Sequence, residues 1–157
     1  METTRHFTTK VFIVEDGATA LHYHPKLEIY LPPGGHVERD ELPHRSGIRE
    51  VREETGLEPE LHRDSADMDV PGGRPLPEPE YHILYDVDTG PDGEVAHQHI
   101  DLIYFAEVDS REIDPEENEV PAEEWEWFDR EDLENGDFDP DTRRMAIEAI
   151  ETFSDRN

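Results

Sequence analysis

Apolar and β-branched positions in the first third of the chain predict strands. Thr8–Val14 is rich in such residues, and Glu15-Asp16-Gly17 is a turn signal that leads to a returning strand over Thr19–Tyr23. Glu28–Leu31 predicts a third, short strand. It runs into Pro32-Pro33-Gly34-Gly35, where the prolines remove two backbone donors and the glycines permit unusual backbone angles. We therefore expect this third of the chain to form part of a sheet.

A helical pattern follows. Leu42–Thr55 is predicted to form a helix that ends at Gly56 in the left-handed conformation, with Leu57 folding back over the last turn. Residues 62–80 are then expected to form an irregular surface loop, because residues 71–79 contain four prolines and two glycines.

Strand patterns resume after this loop and a helix closes the chain. The predicted strands are Tyr81–Val87, His99–Glu107 and Glu124–Phe128, with a hairpin-type connection at Pro91-Asp92-Gly93. Thr142–Phe153 is predicted to be helical, because Met145, Ala149 and either Thr152 or Phe153 recur at helical spacing. The order of elements predicts an α/β (α+β) fold, with a mixed β-sheet between helices, in one domain over residues 1–157.

Charge changes the range of partners that this fold could have. The 157 residues include 42 acidic and 14 basic side chains, giving a net charge of −28, and only two of the basic residues are lysine. A nucleic acid polymer is an unfavourable partner, because the field of the whole protein repels phosphate backbones. An acid-rich, lysine-poor but folded chain is typical of a cytoplasmic protein from a salt-loving organism such as a halophilic archaeon.

Other compositional features exclude further classes of function. No apolar run exceeds five residues, so no membrane span is predicted. The N-terminus carries no apolar segment of the kind found in signal peptides, which favours a cytoplasmic location. The chain contains no cysteine, so disulfides, thiolate nucleophiles and cysteine-based zinc sites are excluded.

The predicted helix carries an unusual row of carboxylates. At 100° per residue, Glu50, Glu53 and Glu54 lie within an arc of about 100°. Like charges at this spacing repel, but a hard divalent cation such as Mg²⁺ would reverse the sign of the interaction. Arg49 lies one turn before Glu53, close enough to hold its carboxylate. In a chain with 25 glutamates, the alternative interpretation is a solvated surface.

The other positions of this helix have predicted roles in packing. Ile48 and Val51 lie on the face that we expect to be buried. Ser46 and Gly47 flank the carboxylate face, and their small size is expected to let the Gly34-Gly35 loop approach closely.

The full spacing of residues 35–57 is far more specific than the carboxylate row. Gly35 is followed after five residues by Glu41 and, after seven more, by Arg-Glu-apolar-x-Glu-Glu-x-Gly-apolar over Arg49–Leu57. This segment resembles the Nudix box of the MutT-like Nudix hydrolases, and every defined position of the box is filled. Trp127 and the residues after it resemble the Trp-containing strand and following turn of that family. The resemblance implies the α/β/α sandwich of Nudix domains.

The resemblance also implies an activity. Nudix enzymes hydrolyse a pyrophosphate linked to another moiety, commonly a nucleoside, with the help of Mg²⁺, for which Mn²⁺ can substitute. By position, Glu50 and Glu54 would be the principal metal ligands, Glu53 a further ligand, and the Gly35 carbonyl part of the same shell. The expected partner is a small-molecule nucleotide, and the chain is expected to be a monomer or a homodimer.

The remaining positions of the box have implied supporting roles. Arg49 would orient a glutamate, Glu41 would tie the loop to the start of the helix, and Gly56 would end the helix. The proton acceptor stays open: Glu53 is favoured, and its rivals are Glu50 and a glutamate outside the box. The candidates for that outside glutamate are Glu119, Glu123 and Glu124.

Histidines outside the box offer further candidate site residues. His97, His99 and Asp101 alternate along a predicted strand and therefore share a face. They could form a polar wall of the substrate pocket, or a hydrogen-bonded cluster that supports a loop. His22 and His24 also share a strand face and are expected on the surface.

The box does not choose among substrates. Nucleoside triphosphates, ADP-ribose-type sugars and dinucleoside polyphosphates all fit the resemblance. We favour nucleotides or a broad specificity, because ADP-ribose hydrolases of the family commonly carry extra N-terminal strands, for which the N-terminus here offers little room. The alternatives are an ADP-ribose-specific pyrophosphatase and a non-catalytic Nudix-fold nucleotide sensor.

Overall fold

A computed structural model describes residues 2–89, 93 and 95–154. Within these ranges the chain forms eight strands, three α-helices and a short 3₁₀ turn at Ala122–Glu124. The strands are β1 (Thr4–Glu15), β2 (Ala18–His24), β3 (Ile29–Leu31), β4 (Gly34–His36), β5 (Glu60–Leu61), β6 (Tyr81–Thr89), β7 (Val95–Glu107) and β8 (Trp125–Asp129). The helices are α1 (Pro43–Thr55), α2 (Arg130–Asn135) and α3 (Pro140–Ser154).

The sheet is built around one long parallel pair. β1 pairs with β7 in parallel from Thr4 opposite His97 to Val14 opposite Glu107. The main strand order is β3-β2-β1-β7-β5, and β4, β6 and β8 pair with β1, β7 and β2 respectively. These other pairings are antiparallel, so the predicted mixed sheet is confirmed.

Both faces of this sheet are covered by helices. On β1, Phe12 and Val14 belong to a core cluster that includes Met145 and Ala149 of α3. Val11 and Ile13 alternate with them and pack in a second cluster with Val51 of α1. Burying each large apolar side chain of this kind contributes roughly 1.5–3 kcal/mol, which explains why the run has no polar position. The predicted layering of helix, sheet and helix is confirmed.

Both predicted long helices are present at close to the expected bounds. α1 begins at Pro43, one residue later than predicted, and ends at Thr55. α3 runs from Pro140 to Ser154, and Met145, Ala149 and Phe153 are all buried, as their spacing predicts. No helix in the described part of the chain is long and apolar enough to cross a membrane.

The sequence pattern missed the short elements. β4 and β5 have only three and two residues, so neither shows a periodicity of its own, and both owe their strand conformation to pairing with β1 and β7. α2 follows β8 where only a turn was expected. A reciprocal capping box starts it: Asp129 accepts from the Asp132 N–H, and the Asp132 carboxylate accepts from the Asp129 N–H.

The predicted turns and loops are largely found. Asp16 and Gly17 both have positive φ, the geometry of a tight hairpin turn between β1 and β2. Residues 62–80, which follow β5, form neither helix nor strand, as expected. Of the predicted hairpin at Pro91-Asp92-Gly93, Pro91 and Asp92 lie outside the described residues, although β6 and β7 do pair antiparallel.

His22 does not lie on the surface as expected. Its side chain is buried, and its ring centroid is 4.6 Å from that of Trp125. Burial, together with the nearby charge of His24, lowers the pKa of His22 to about 4. The sequence pattern could not show this, because the pairing of β2 with β8, which sets Trp125 opposite His22, joins segments that are far apart in the sequence.

The buried His22 should make the protein less stable in acid. Between its ordinary pKa of 6.5 and about 4, the unfolded chain binds a proton that the folded chain does not, so the free energy of unfolding falls as the pH falls. We expect His22→Phe to remove up to about 3 kcal/mol of this pH dependence, measured by urea unfolding at constant salt. The dependence should persist in His82→Phe, a control at an exposed histidine of β6. Equal pH dependence in wild type and His22→Phe would contradict the assignment.

Candidate active site

Helix α1 lies against the sheet through a stripe of small and apolar residues. Gly47, Val51 and Thr55 follow one another at four-residue spacing and are buried. A Cβ on Gly47 would lie 3.0 Å from Cγ2 of Val11, so the glycine allows the close approach of helix and sheet. Gly47 therefore faces β1 and not the Gly34-Gly35 loop, which corrects the expected role. Ile48 is half-buried at the edge of the contact.

The two glycines of β4 bring the carboxylates of α1 against the backbone. A Cβ on Gly35 would lie 2.4 Å from Oε1 of Glu50, and one on Gly34 would lie 2.1 Å from the carbonyl oxygen of Thr9. The Gly34 N–H donates to Oε2 of Glu54 at 3.1 Å. Neither glycine is among the positive-φ residues, so both are required by close approach and not by the unusual backbone angles that the sequence suggested.

Arg49 holds the carboxylates of the site in place. Its Nε and Nη2 donate to the two oxygens of Glu41 at 2.7 and 3.0 Å. Its Nη1 donates to Glu50 at 2.9 Å and to Glu53 at 3.2 Å. Hydrogen bonding to Arg49 lowers the pKa of Glu41 and, in return, raises the pKa of the guanidinium. One cation thus connects three acids, and two of those acids belong to the predicted metal site.

Glu41 also connects the loop to the helix. Its Oε1 accepts from the backbone N–H of Glu38 at 3.2 Å, while its carboxylate binds Arg49 from α1. These two contacts hold the segment between β4 and α1 against the helix. This is the role that the resemblance implies for Glu41.

Glu50 and Glu54 lie in surroundings that disfavour negative charge. Burial raises the pKa of Glu54 to about 8, and the charges of Glu50, Glu119 and Glu53 add to the rise, while the bond from the Gly34 N–H opposes it. Burial also raises the pKa of Glu50, against the lowering influence of Arg49. Crowded, partly buried carboxylates with raised pKa values are a common property of functional sites.

Gly56 ends α1 and makes room for a second loop. Its φ of 73° is left-handed, as predicted, and a Cβ there would lie 2.6 Å from the carbonyl oxygen of Asp114. The N–H groups of Asp114 and Glu116 donate to the carbonyls of Thr55 and Glu53 at 2.9 and 2.8 Å. These bonds satisfy carbonyls that a helix end leaves without partners.

This loop brings Glu119 to the site. The negative charge of Glu119 acts on both Glu50 and Glu54, whose pKa values it raises. Its spacing from Trp127 could not distinguish it from Glu123 and Glu124, which are both exposed in the 3₁₀ turn. Glu119 is set apart from the other two glutamates by the docking of residues 114–116 on the end of α1, and this docking has no local sequence signature.

The residues present fit a hard divalent cation. Glu50, Glu53 and Glu54 supply carboxylate oxygens on one helix face, and Gly35 leaves a space beside Glu50 that any side chain would fill. Oxygen donors of this kind are the ligands that Mg²⁺ and Mn²⁺ prefer. A cation there would also relieve the repulsion that raises the pKa of Glu54.

The predicted substrate wall divides into two groups. Asp101 is buried, with Nζ of Lys10 at 2.8 Å from one oxygen, and its other oxygen accepts from the hydroxyl of Thr8. Lys10 also lies over the ring of Tyr85, 4.6 Å from its centroid. Asp101 therefore orients Lys10. Both of its carboxylate oxygens are engaged within the protein and neither faces solvent.

His97 and His99 lie instead in a cluster of histidines. Their ring centroids are 5.0 Å apart, and His6 and His36 lie beside them. Burial, with the nearby charge of His36, lowers the pKa of His99. Sequence spacing identified His97 and His99, but it gave no signal for His6 and His36, which come from other strands.

A groove of about 820 Å³ opens beside this arrangement. Its lining includes His6, His36, Glu38, Glu41 and Pro43, so it lies at the start of α1. A second groove of about 660 Å³ is lined by Tyr30, Trp127 and several acids of the β8–α3 segment. Neither groove is lined by Glu50, Glu53 or Glu54, but the first is lined by Glu41, which Arg49 connects to Glu50 and Glu53.

A NUDIX domain profile matches residues 7–148. The chain belongs to the Nudix family. A crystal structure of a Nudix family hydrolase from Clostridium perfringens is 38% identical, with a TM-score of 0.81, and the match covers 94% of this chain and 97% of that one. As a member of this family the protein is a pyrophosphohydrolase, and Nudix hydrolases act on nucleoside diphosphate derivatives, generally with divalent metal ions.

More distant solved structures share the fold. A MutT Nudix hydrolase from Burkholderia pseudomallei is 22% identical with a TM-score of 0.57, and the match covers 93% of this chain and 98% of that one. The E. coli dihydroneopterin triphosphate pyrophosphohydrolase is 14% identical with a TM-score of 0.59, over 90% of this chain and 92% of that one. Nothing matched among the curated proteins compared.

The contact between Gly35 and Glu50 should be sensitive to a single methyl group. Gly35→Ala would place a Cβ 2.4 Å from Oε1 of Glu50, so the carboxylate must move. We expect affinity for Mn²⁺, measured by calorimetry, to fall at least about tenfold. The matched control is Gly73→Ala, where the nearest atom is 3.3 Å away in an exposed loop. Unchanged Mn²⁺ affinity in Gly35→Ala would show that this contact does not shape the site.

Proposed function

We propose that this Nudix hydrolase cleaves the pyrophosphate bond of small nucleotides with Mg²⁺, or Mn²⁺ in its place. The observation that carries the proposal is the arrangement of Glu50, Glu53 and Glu54 beside Gly35, with Arg49 holding two of the three. Such a site has the donors for a hard cation and lies beside a groove of substrate size.

Each residue of the site has a proposed role. Glu50 and Glu54 are the principal metal ligands, Glu53 is a further ligand, directly or through water, and the Gly35 carbonyl belongs to the same shell. When bound, the cation supplies positive charge that neutralises the pyrophosphate, and it acidifies bound water.

Arg49 prepares the site through charge-assisted hydrogen bonds. Arg49 pairs with Glu41, Glu50 and Glu53 at the same time. Its positive charge offsets the repulsion among the three carboxylates and holds each in a fixed orientation. Its guanidinium is one-quarter exposed, so it works mainly as a positioning residue for the acids. Gly56 contributes indirectly, since it admits the loop that carries Glu119.

Glu53 is the proposed proton acceptor, and Glu119 is its main rival. Glu53 lies on the carboxylate face and is one-third exposed, which leaves it accessible to water. The observation in favour of Glu119 is its proximity to Glu50 and Glu54, shown by its effect on both pKa values. The two assignments differ in which Gln variant removes the acidic limb of the pH–rate profile.

His97, His99 and Asp101 are proposed to contribute to substrate binding from the sheet face opposite α1, next to β4, where the His36 carbonyl accepts from Arg49. Asp101 would act through Lys10, whose ammonium is partly exposed and is fixed by the ion pair. A fixed cation on this face is suited to a phosphate oxygen. Nucleoside triphosphates are the preferred candidates, and ADP-ribose-type sugars are the alternative within the same reaction class.

A substrate panel tests this function. We expect phosphate or pyrophosphate release from at least one nucleotide with Mg²⁺ and none without it, with products identified by chromatography. Glu54→Gln should lower the rate at least about a hundredfold, because losing a direct metal ligand should cost more activity than losing a residue that only supports a ligand. Glu58→Gln is the control, since Glu58 is exposed and pairs with Arg52 away from the carboxylate face. A normal rate in Glu54→Gln would place the reaction elsewhere.

The net charge of −28 points to adaptation to high salt. At low ionic strength this charge repels an anionic substrate, whereas at about 1 M salt the screening length falls to about 3 Å and the distant field is largely removed. We therefore expect kcat/KM to rise between dilute buffer and about 1 M KCl, with circular dichroism recorded to separate catalysis from unfolding. A rate that falls steadily as salt is added to the folded protein would contradict the proposal.

A further inference from the structure

Four histidines converge on one face of the sheet, beside the carboxylate site, and none of them is a defined position of the box. His6 lies on β1, His36 on β4, and His97 and His99 on β7. His6 is directly opposite His99 in the β1–β7 pair, and His36 is opposite Thr8 in the β1–β4 pair. Because side chains two residues apart point to the same face, strand pairing brings all four rings together.

Three of these histidines have the spacing of a metal site. One ring nitrogen each from His6, His36 and His99 lies within 4.8 Å of the other two. Ligand nitrogens around a tetrahedral Zn²⁺ are about 3.3 Å apart, given Zn–N bonds of about 2.0–2.1 Å. Small rotations of the two exposed rings, those of His6 and His36, would close this difference.

A second observation points to a ligand at the same place. Nε2 of His99 is buried, and within the described residues it has no hydrogen-bond partner. A buried polar atom without a partner is costly, which makes such atoms rare in folded proteins. A metal ion held with His6 and His36 would satisfy it.

His97 has the position of a supporting residue. Its Nε2 lies 3.1 Å from Nδ1 of His6, so a hydrogen bond between the rings fixes the orientation of His6. Metal-binding histidines generally have their second nitrogen held in this way.

We propose that His6, His36 and His99 form a binding site for Zn²⁺, separate from the carboxylate site of α1. Imidazole nitrogen suits Zn²⁺ and other late first-row ions, whereas Mg²⁺ prefers the carboxylate oxygens, so ligand chemistry alone directs the two ions to different sites. Three histidines leave a fourth position open to water or to a phosphate oxygen. This site goes beyond the proposed function, which does not require it.

The two sites share strand β4 but lie on different sides of it. The carbonyl of His36 accepts from Nη2 of Arg49 at 3.3 Å, while its ring lies 5.1 Å from that of His99, centroid to centroid. Gly35, the preceding residue, faces Glu50. Zn²⁺ at the histidines would therefore join β1, β4 and β7 next to the catalytic carboxylates.

Metal binding by the full chain, free of any purification tag and stripped of metal, tests the proposal. We expect one equivalent of Zn²⁺ to bind in calorimetry and to raise the unfolding temperature. Co²⁺ should give the strong visible absorption of a four-coordinate, imidazole-bound ion. His99→Gln and His6→Gln should weaken Zn²⁺ binding at least about a hundredfold, and His97→Gln by about 10–100-fold, as expected for an outer residue.

Matched variants separate this site from the carboxylates. Glu54→Gln should keep Zn²⁺ affinity and the Co²⁺ spectrum even if hydrolysis is lost, and His82→Gln, at an exposed histidine of β6, should bind as wild type does. The proposal is overturned if Zn²⁺ binding survives in His6→Gln and His99→Gln, or is lost in Glu54→Gln. It is also overturned if those histidine variants change only KM for the nucleotide, which would mean direct substrate contact without metal.

Discussion

The close approach of α1 to β1 and β4 is the constraint on which the rest of the site depends. Gly47 lets the helix lie against Val11, and Gly35 leaves room for the carboxylate of Glu50 at the edge of the sheet. A side chain at either glycine would push the helix or its carboxylate away, and the carboxylates would then lose their positions beside β1 and β4. The spacing of the box is therefore a packing requirement as well as a set of ligands.

That packing brings together groups that repel one another. Glu50 and Glu54 are crowded and partly withdrawn from water, and burial together with repulsion from neighbouring carboxylates raises the pKa of both. Arg49 offsets part of it by binding Glu50, Glu53 and Glu41, and a divalent cation would offset more. The many acids elsewhere are mostly exposed and act together through the net charge of the protein, whereas the acids bound by Arg49 act locally.

β1 connects the catalytic helix with the opposite face of the sheet. Its odd residues Val11 and Ile13 pack under α1, whereas its even residues include His6, Thr8 and Lys10. The same strand therefore lies against the helix that carries the carboxylates on one side and presents a row of polar side chains, including His6, on the other. The parallel pairing of β1 with β7 fixes which side chains of the two strands lie next to each other on each face.

The sequence by itself determined the features that depend on local period. The spacing of Glu50, Glu53 and Glu54 placed them on one face of α1, Gly56 ended that helix, and the family followed from the box. Only the tertiary structure decided which distant residues come together, such as Glu119 beside the carboxylates and His36 beside His6 and His99, and showed that Gly35 is needed for close approach. The physical reason is that a helix face is set by neighbours along the chain, whereas strand pairing and loop docking join residues whose separation in sequence carries no signal.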